Sequence, residues 1–484
     1  MKEYSPRRRT ALVFTGSGTT GAYHAGALRA LDESGVKIDL VVGSGIGAVS
    51  AAYAAATGGP RLYGPGGFWS GVRWGSFYRL RPVVRVALTL LGASFAIFAA
   101  PMLLGLALGV VATLLLIVER VFPGAASRAL AFLWVAPEAL SGPYLAAQAV
   151  PVFGLALLAI AVGATLWVRD RRRFAESFES FLDAGPGLAR LRRGVWEVAG
   201  GVALHAQPPD DAEIGRRYVA TLAENLGEPG FRELIVRTAD LDRGGALPFV
   251  LLRDASGAPA HARQSGFAEA VDLRQPGSDA LFFDALATGL LCPLAMPLRR
   301  VCFPKGAVHA GETHRLTDAT FVHGCGIADA IAAGAEQVIV VTGVPEEPSP
   351  LARRRGPLAR IDAAVRALEA QAAREIHETE RTSRMVSTLG HPTAAGRSAW
   401  QDPATGRLFS EIDLWVIRPE RRTLGPMELD GARDPATEVL QTAEDLVELG
   451  FRDACRQFVE PVVGQSALPE REDDKYRDTQ PVGL

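Results

Sequence analysis

Twice within its first 58 residues the chain runs from a short apolar segment into a glycine-framed turn and then into a helix. Thr10-Ala11-Leu12-Val13-Phe14 reads as a buried strand, Gly16-Ser17-Gly18-Thr19-Thr20-Gly21 as a loop, and the amphipathic stretch through Leu31 as a helix. Ile38 to Val42 predicts a second buried strand. The turn Gly43-Ser44-Gly45-Ile46-Gly47 follows it, and an alanine-rich helix over Ala48 to Ala56 closes at Gly58-Gly59-Pro60. Two successive strand-helix units imply crossovers above one sheet, so the expected class is α/β with a parallel sheet.

The second turn has the frame G-x-S-x-G, in which a middle serine sits on a tight strand-to-helix bend and projects its hydroxyl toward a substrate. Here the middle residue is Gly45, which carries no side chain, and Ser44 stands one place early. Neighbouring strand positions face opposite sides of a sheet, so Ser44 is expected to point away from whatever Gly45 faces. The first loop also satisfies a dinucleotide fingerprint, Gly16-x-Gly18-x-x-Gly21. That fingerprint calls for an acidic residue at the end of the second strand, whereas Asp39 begins it.

At these positions the chain resembles the patatin-like phospholipases. That family carries a loop of the form G-G-G-x-R-G, a serine in G-x-S-x-G and a distal aspartate in D-G-G or D-G-A. Gly16, Ser17, Gly18, Thr19, Thr20 and Gly21 occupy the loop, with Thr20 in the arginine position, and the following Gly-Ala-Tyr-His-Ala-Gly from Gly21 to Gly26 is similar to bacterial relatives. The distal motif is Asp318-Ala319-Thr320, followed by Ile327-Ala328-Asp329-Ala330 and the strand Val338 to Val341. Further similar stretches are Thr238 to Asp242, Phe283 to Ala287 running on to Pro293 and Pro297, Ile417-Arg418-Pro419, and Gly450 to Ala454.

The resemblance implies a three-layer sandwich with a mostly parallel central sheet and a serine-aspartate dyad. Gly45 then stands at the nucleophile position with the serine lost, Asp318 is the retained aspartate, and the Gly16–Gly21 loop is the oxyanion loop. Losing a nucleophile of this kind costs about a million-fold in turnover. The expectation is therefore a catalytically inactive relative that binds lipid of the phospholipid or acylglycerol class, or acts as a scaffold. The alternatives are an acyl hydrolase using Ser44 or another serine with Asp318, and a nucleotide-binding protein using the first loop.

A second region is apolar. No charged residue occurs from Val86 to Val118, or from Ala139 to Val168. At about 1.5 Å per helical residue each run has the reach to cross a hydrocarbon core of about 30 Å. Two segments, about 86–118 and 144–168, are thus expected to form an inserted transmembrane hairpin, the first either kinked at Pro101 or split there into half-helices. Arg79, Arg81 and Arg85 precede the hairpin and Arg169, Arg171, Arg172 and Arg173 follow it. The link holds only Arg120 and Arg128 beside Glu119 and Glu138. The positive-inside rule then places the patatin-like domain on the cytoplasmic side of a bilayer.

The expected organisation is 1–82 and 171–468 as the two parts of one α/β domain, 83–170 as the membrane insert, and 469–484 as a disordered charged tail. Within 484 residues and 48% hydrophobic content there is room for a domain and an insert, and a net charge of -2 makes no case for a nucleic-acid partner. Cys292, Cys302, Cys325 and Cys455 lack C-x-x-C spacing, and His309, His314 and His323 show no metal spacing around the aspartate motif. No cofactor or metal is expected. His24 reads as a helix-face residue near the first loop, and Arg360 to Leu389 as a long amphipathic helix with Ile361, Val365, Leu368, Ile376 and Met385 on or near one face.

Overall fold

The computed structural model describes residues 4–124, 127–128, 154, 182–200, 208–253, 269–291, 296–319, 324–346, 357–393, 397–404, 406, 408–421, 424–425, 427–433 and 439–464. The chain divides into two compact units, Met1–Arg79 together with Ala184–Leu484, and the intervening Leu80–Asp183. Thr320 of the distal motif and the following Phe321 and Val322 lie outside the described residues, as do His323, Cys292 and the tail 469–484.

The elements that matter here are β1 (Thr10–Gly16), α1 (Thr20–Glu33), β2 (Leu40–Gly45) and α2 (Gly47–Ala55), then α3 (Pro82–Val121) in the second unit. After it come β3 (Glu233–Asp240), β4 (Gly245–Leu251), β5 (Val271–Asp272), α4 (Phe282–Thr288), β6 (Arg299–Cys302) and β7 (Thr313–Asp318). The series closes with α5 (Ile327–Ala332), β8 (Gln337–Thr342), α6 (Pro357–Leu389), β9 (Asp413–Ile417) and α7 (Ala443–Ala454).

The central sheet has the order β9-β8-β1-β2-β3-β4-β5. Its first five strands are mutually parallel, and β4 turns back antiparallel on β3. The expected α/β class with a mostly parallel sheet is what forms. Every residue of β1, β2, β3 and β8 is buried, which is the signature of strands covered on both faces. One face packs Ala11, Val13, Leu40, Val42, Ile235, Val338 and Val340 against Ile327 and Ala330 of α5 and Ile376 of α6. On the other face the Phe14 ring meets His24 of α1 at 5.0 Å, and α2 approaches so closely that a Cβ at Gly47 would lie 2.2 Å from the Phe14 carbonyl oxygen.

Strand β7 is the element that builds the site. β4 occupies one edge of β3 along its length, so β2 and β7 share the other: Ser44 pairs with Arg237, and the next position, Thr238, pairs with Asp318. The C-terminal ends of β2 and β7 therefore meet head to head. The Gly16–Gly21 loop and the Gly43–Gly47 turn lie at this same end, with Gly16 in register with Gly45.

The second unit corrects one expectation. α3 runs unbroken through Pro101, so the two half-helices do not form. Among the described residues no helix is long and apolar enough to cross a membrane. Apart from Gly154, the expected second span 144–168 lies outside the described residues. The transmembrane hairpin is thus not an element of the described fold. What α3 does show is an apolar surface: Leu103, Leu106, Val110, Leu114, Ile117 and Val121 are each more than half exposed.

Candidate functional site

Gly45 ends β2 with φ +63°, in the left-handed region that glycine enters without cost. A Cβ built on it would lie 2.9 Å from Asp318 Oδ1 and 3.3 Å from Oδ2. The position that faces the buried aspartate therefore carries no side chain. Ser44 is also buried, but it shares its sheet face with Val42, which packs in the core layer of α5 and α6. Strand alternation turns it away from Asp318.

The turn is closed as well as unarmed. The same Cβ at Gly45 would sit 2.4 Å from the Gly16 carbonyl oxygen, and Ile46 N–H donates to that oxygen at 2.9 Å. In a nucleophile elbow the amide after the nucleophile contributes to the oxyanion hole. Here it is spent inside the protein. On the far side Gly289, just past α4, is packed so tightly that a Cβ there would lie 2.3 Å from the Gly45 carbonyl oxygen.

The loop holds Gly16 at φ +143° and Gly18 at φ +56°. Ser17 and Thr20 are both buried, and Thr19 donates from Oγ1 to the Gly425 carbonyl at 3.0 Å. Thr20 stands so close that a Cβ on Gly16 or on Gly343 would approach its Cγ2 at 2.6 and 2.7 Å. A longer side chain in the arginine position has no space without moving the loop. Over Gly21 lies the indole of Trp69, stacked on Phe77 at 5.5 Å, and a Cβ there would come within 2.2 Å of Trp69 Cζ2.

One contact was not foreseen from the motifs. Ser17 Oγ donates to Asp318 Oδ2 at 3.3 Å, bringing a loop hydroxyl onto the aspartate that Gly45 leaves unaddressed. Its only sequence signal is a serine where the related loop has glycine. Beneath the loop His24 is fully buried, with Nε2 3.2 Å from the Thr15 carbonyl oxygen and Nδ1 3.3 Å from Ser50 Oγ. Burial drives its pKa down to about 3, only partly offset by the Thr15 hydrogen bond, so it is a neutral structural residue. Asp39 accepts from Thr10 N at 2.9 Å, at the opposite end of the strands from the Gly16–Gly21 loop. The dinucleotide fingerprint thus lacks its acidic partner.

Sequence spacing also hid a cluster in the connection from β6 to β7. His309, Glu312 and His314 offer ligand atoms all within 4.8 Å of one another. The hairpin turn folds them together, whereas a linear scan for metal motifs passes over them.

Residues 12–91 match the family model described as patatin-like phospholipase. Among solved structures, VipD from Legionella pneumophila is similar at 12% identity, with 94% of this chain and 67% of that chain covered and a TM-score of 0.30, a likeness too slight to carry an argument. The comparison with curated proteins returns no match. The family-model match falls on the strand, loop and turn whose geometry is set out above, so this part of the chain is similar to the patatin-like phospholipases.

Proposed function

We propose that this is a patatin-like protein without hydrolytic activity, acting by binding at a lipid surface. One observation carries the reading: the position facing Asp318 is Gly45, whose missing side chain would have stood 2.9 Å from the carboxylate. Glycine there removes the attacking group, and the hydrogen bond from Ile46 N–H to Gly16 withdraws an amide from oxyanion stabilisation. A family whose substrates are lipids makes membrane lipid the favoured ligand class. The exposed apolar side chains of α3 supply a surface that water disfavours and an acyl layer accepts. On this reading the second unit anchors the protein to a bilayer, and the flanking arginines keep the α/β unit on the cytoplasmic side.

A second reading has a specific observation behind it. Ser17 Oγ on Asp318 Oδ2 is a serine-aspartate pair, displaced from the turn to the loop. On this reading Ser17 Oγ attacks an ester carbonyl as Asp318 takes its proton, the ester C–O bond breaks with that proton passing to the departing alcohol, and water then releases the acid from Ser17.

Both are tested by incubating the full chain with a fluorophosphonate probe and a short-chain nitrophenyl ester. The expected result is no covalent label and no ester hydrolysis above a buffer control. Labelling that Ser17→Ala abolishes would overturn the inactive reading in favour of the displaced dyad, and labelling that Ser44→Ala abolishes would restore Ser44. Lipid attachment is read separately, by carbonate extraction of membranes: release into the supernatant would sink the anchoring role.

A further inference from the structure

The turn between β6 and β7 places two imidazoles and a carboxylate together, outside the Gly45–Asp318 site. His309 and His314 are buried while the Glu312 side chain is well exposed, so the cluster opens to solvent on one side. Phe303 packs against both rings, at 5.3 Å from His309 and 5.0 Å from His314, and the two imidazoles lie 5.0 Å apart. This apolar floor fixes both rings.

His314 is oriented from behind. Its Nδ1 lies 2.5 Å from Asp240 Oδ2 at the end of β3, and its Nε2 lies 2.8 Å from Glu312 Oε2. A carboxylate on Nδ1 holds the proton there and leaves Nε2 as the basic, outward-facing nitrogen, which is the usual support of a metal-bound histidine. Asp240 is buried and also accepts from Asp242 N at 3.0 Å, so it is held in place itself. On His309 a cation is already present: Arg243 Nη1 lies 2.7 Å from Nδ1. That arginine is 42% exposed, and its carboxylate partner Glu269 is 3.7 Å away, so the guanidinium is free to withdraw into solvent.

We propose that His309, Glu312 and His314 form a binding site for a divalent cation of the zinc class, with Asp240 as positioning residue and Arg243 as the internal cation that the metal displaces. Two histidines and a glutamate form the donor set of open three-ligand zinc sites, which leave the fourth position to water. Zinc bonds of about 2.0 to 2.2 Å require donor atoms about 3.3 Å apart. The Glu312–His314 pair therefore opens by about half an ångström, and His309 closes in, both within reach of a turn. Since β7 ends on Asp318, a bound ion would clamp the strand that delivers this aspartate to the sheet.

The test uses the full chain, stripped with a chelator and then titrated with zinc alone against a chromophoric competitor. One site per chain is expected, with affinity falling at least tenfold in His309→Ala and in Glu312→Gln. Asp240→Asn should weaken binding by about 10- to 100-fold. Arg243→Ala should tighten it. Cobalt in place of zinc should give visible tetrahedral bands without the thiolate charge-transfer absorption that cysteine ligation produces. Glu312 is exposed, so its glutamine variant keeps the fold even if a histidine variant does not. Absence of stoichiometric binding, a thiolate band, affinity unchanged in Glu312→Gln, or weaker binding in Arg243→Ala would each overturn the proposal.

Discussion

At the scale of single residues, Gly45 is packed so closely that no side chain fits at its position. A serine placed there would need φ near +63° and a Cβ 2.4 Å from the Gly16 carbonyl oxygen. Gly45→Ser is expected to destabilise the fold by about 2 kcal/mol or more, and to gain no esterase activity, as thermal melts and ester assays would show. Thr20→Arg does not relieve the clash, because Thr20 is itself wedged beside Gly16 and Gly343. His24 makes a second prediction at this scale. Its folded pKa of about 3 lies below the unfolded value near 6.5, so between these limits the unfolded chain binds the extra proton. Stability should therefore fall as pH drops from 6.5 toward 3, by up to about 1.4 kcal/mol per pH unit. Denaturant melts at pH 6 and pH 5 should show that slope in the parent and lose it in His24→Gln. The letters of both motifs were legible in the sequence; the hydroxyl of Ser17 on Asp318 was not, because it depends on how the loop folds back.

At the scale of elements, helices and strands meet where glycines permit it. α1 and α7 are pressed together so that a Cβ on Gly26 would lie 1.8 Å from the Val447 carbonyl oxygen, and one on Gly450 2.2 Å from that of Tyr23. Gly26→Ala should cost about 1 to 3 kcal/mol, lowering the thermal midpoint by several degrees; an unchanged midpoint would contradict this packing. The first two strand-helix units were legible because their apolar runs and glycine turns are local signals. α6 was legible too, from Arg360 to Leu389, and Ile376 is indeed buried in the core. The head-to-head meeting of β2 and β7 was not, since it is set by which edge of β3 each strand takes. The His309, Glu312 and His314 cluster was not legible for a similar reason: Asp240 reaches His314 across 74 positions of sequence.

At the scale of the whole molecule, the chain is an α/β unit interrupted by Leu80–Asp183. The ends of that insert, Leu80 and Leu182–Asp183, belong to two short strands paired with each other. Chain ends that lie side by side tolerate removal of what is between them. A chain with 80–183 replaced by a short glycine-serine linker is expected to fold, with a cooperative melt and an α/β circular dichroism spectrum, and to stay in the supernatant on membrane fractionation. A non-cooperative melt would show that the insert is needed for folding.

The placement of that interruption also sets an order of events during synthesis. β2 leaves the ribosome well before its sheet partner β3, whose first residue, Glu233, lies far downstream of Gly45. At about 5 to 20 residues per second the wait is roughly 10 to 40 s. During that interval two finished strands have an open edge while the apolar insert is made and emerges, so whatever receives α3 can do so before the sheet closes.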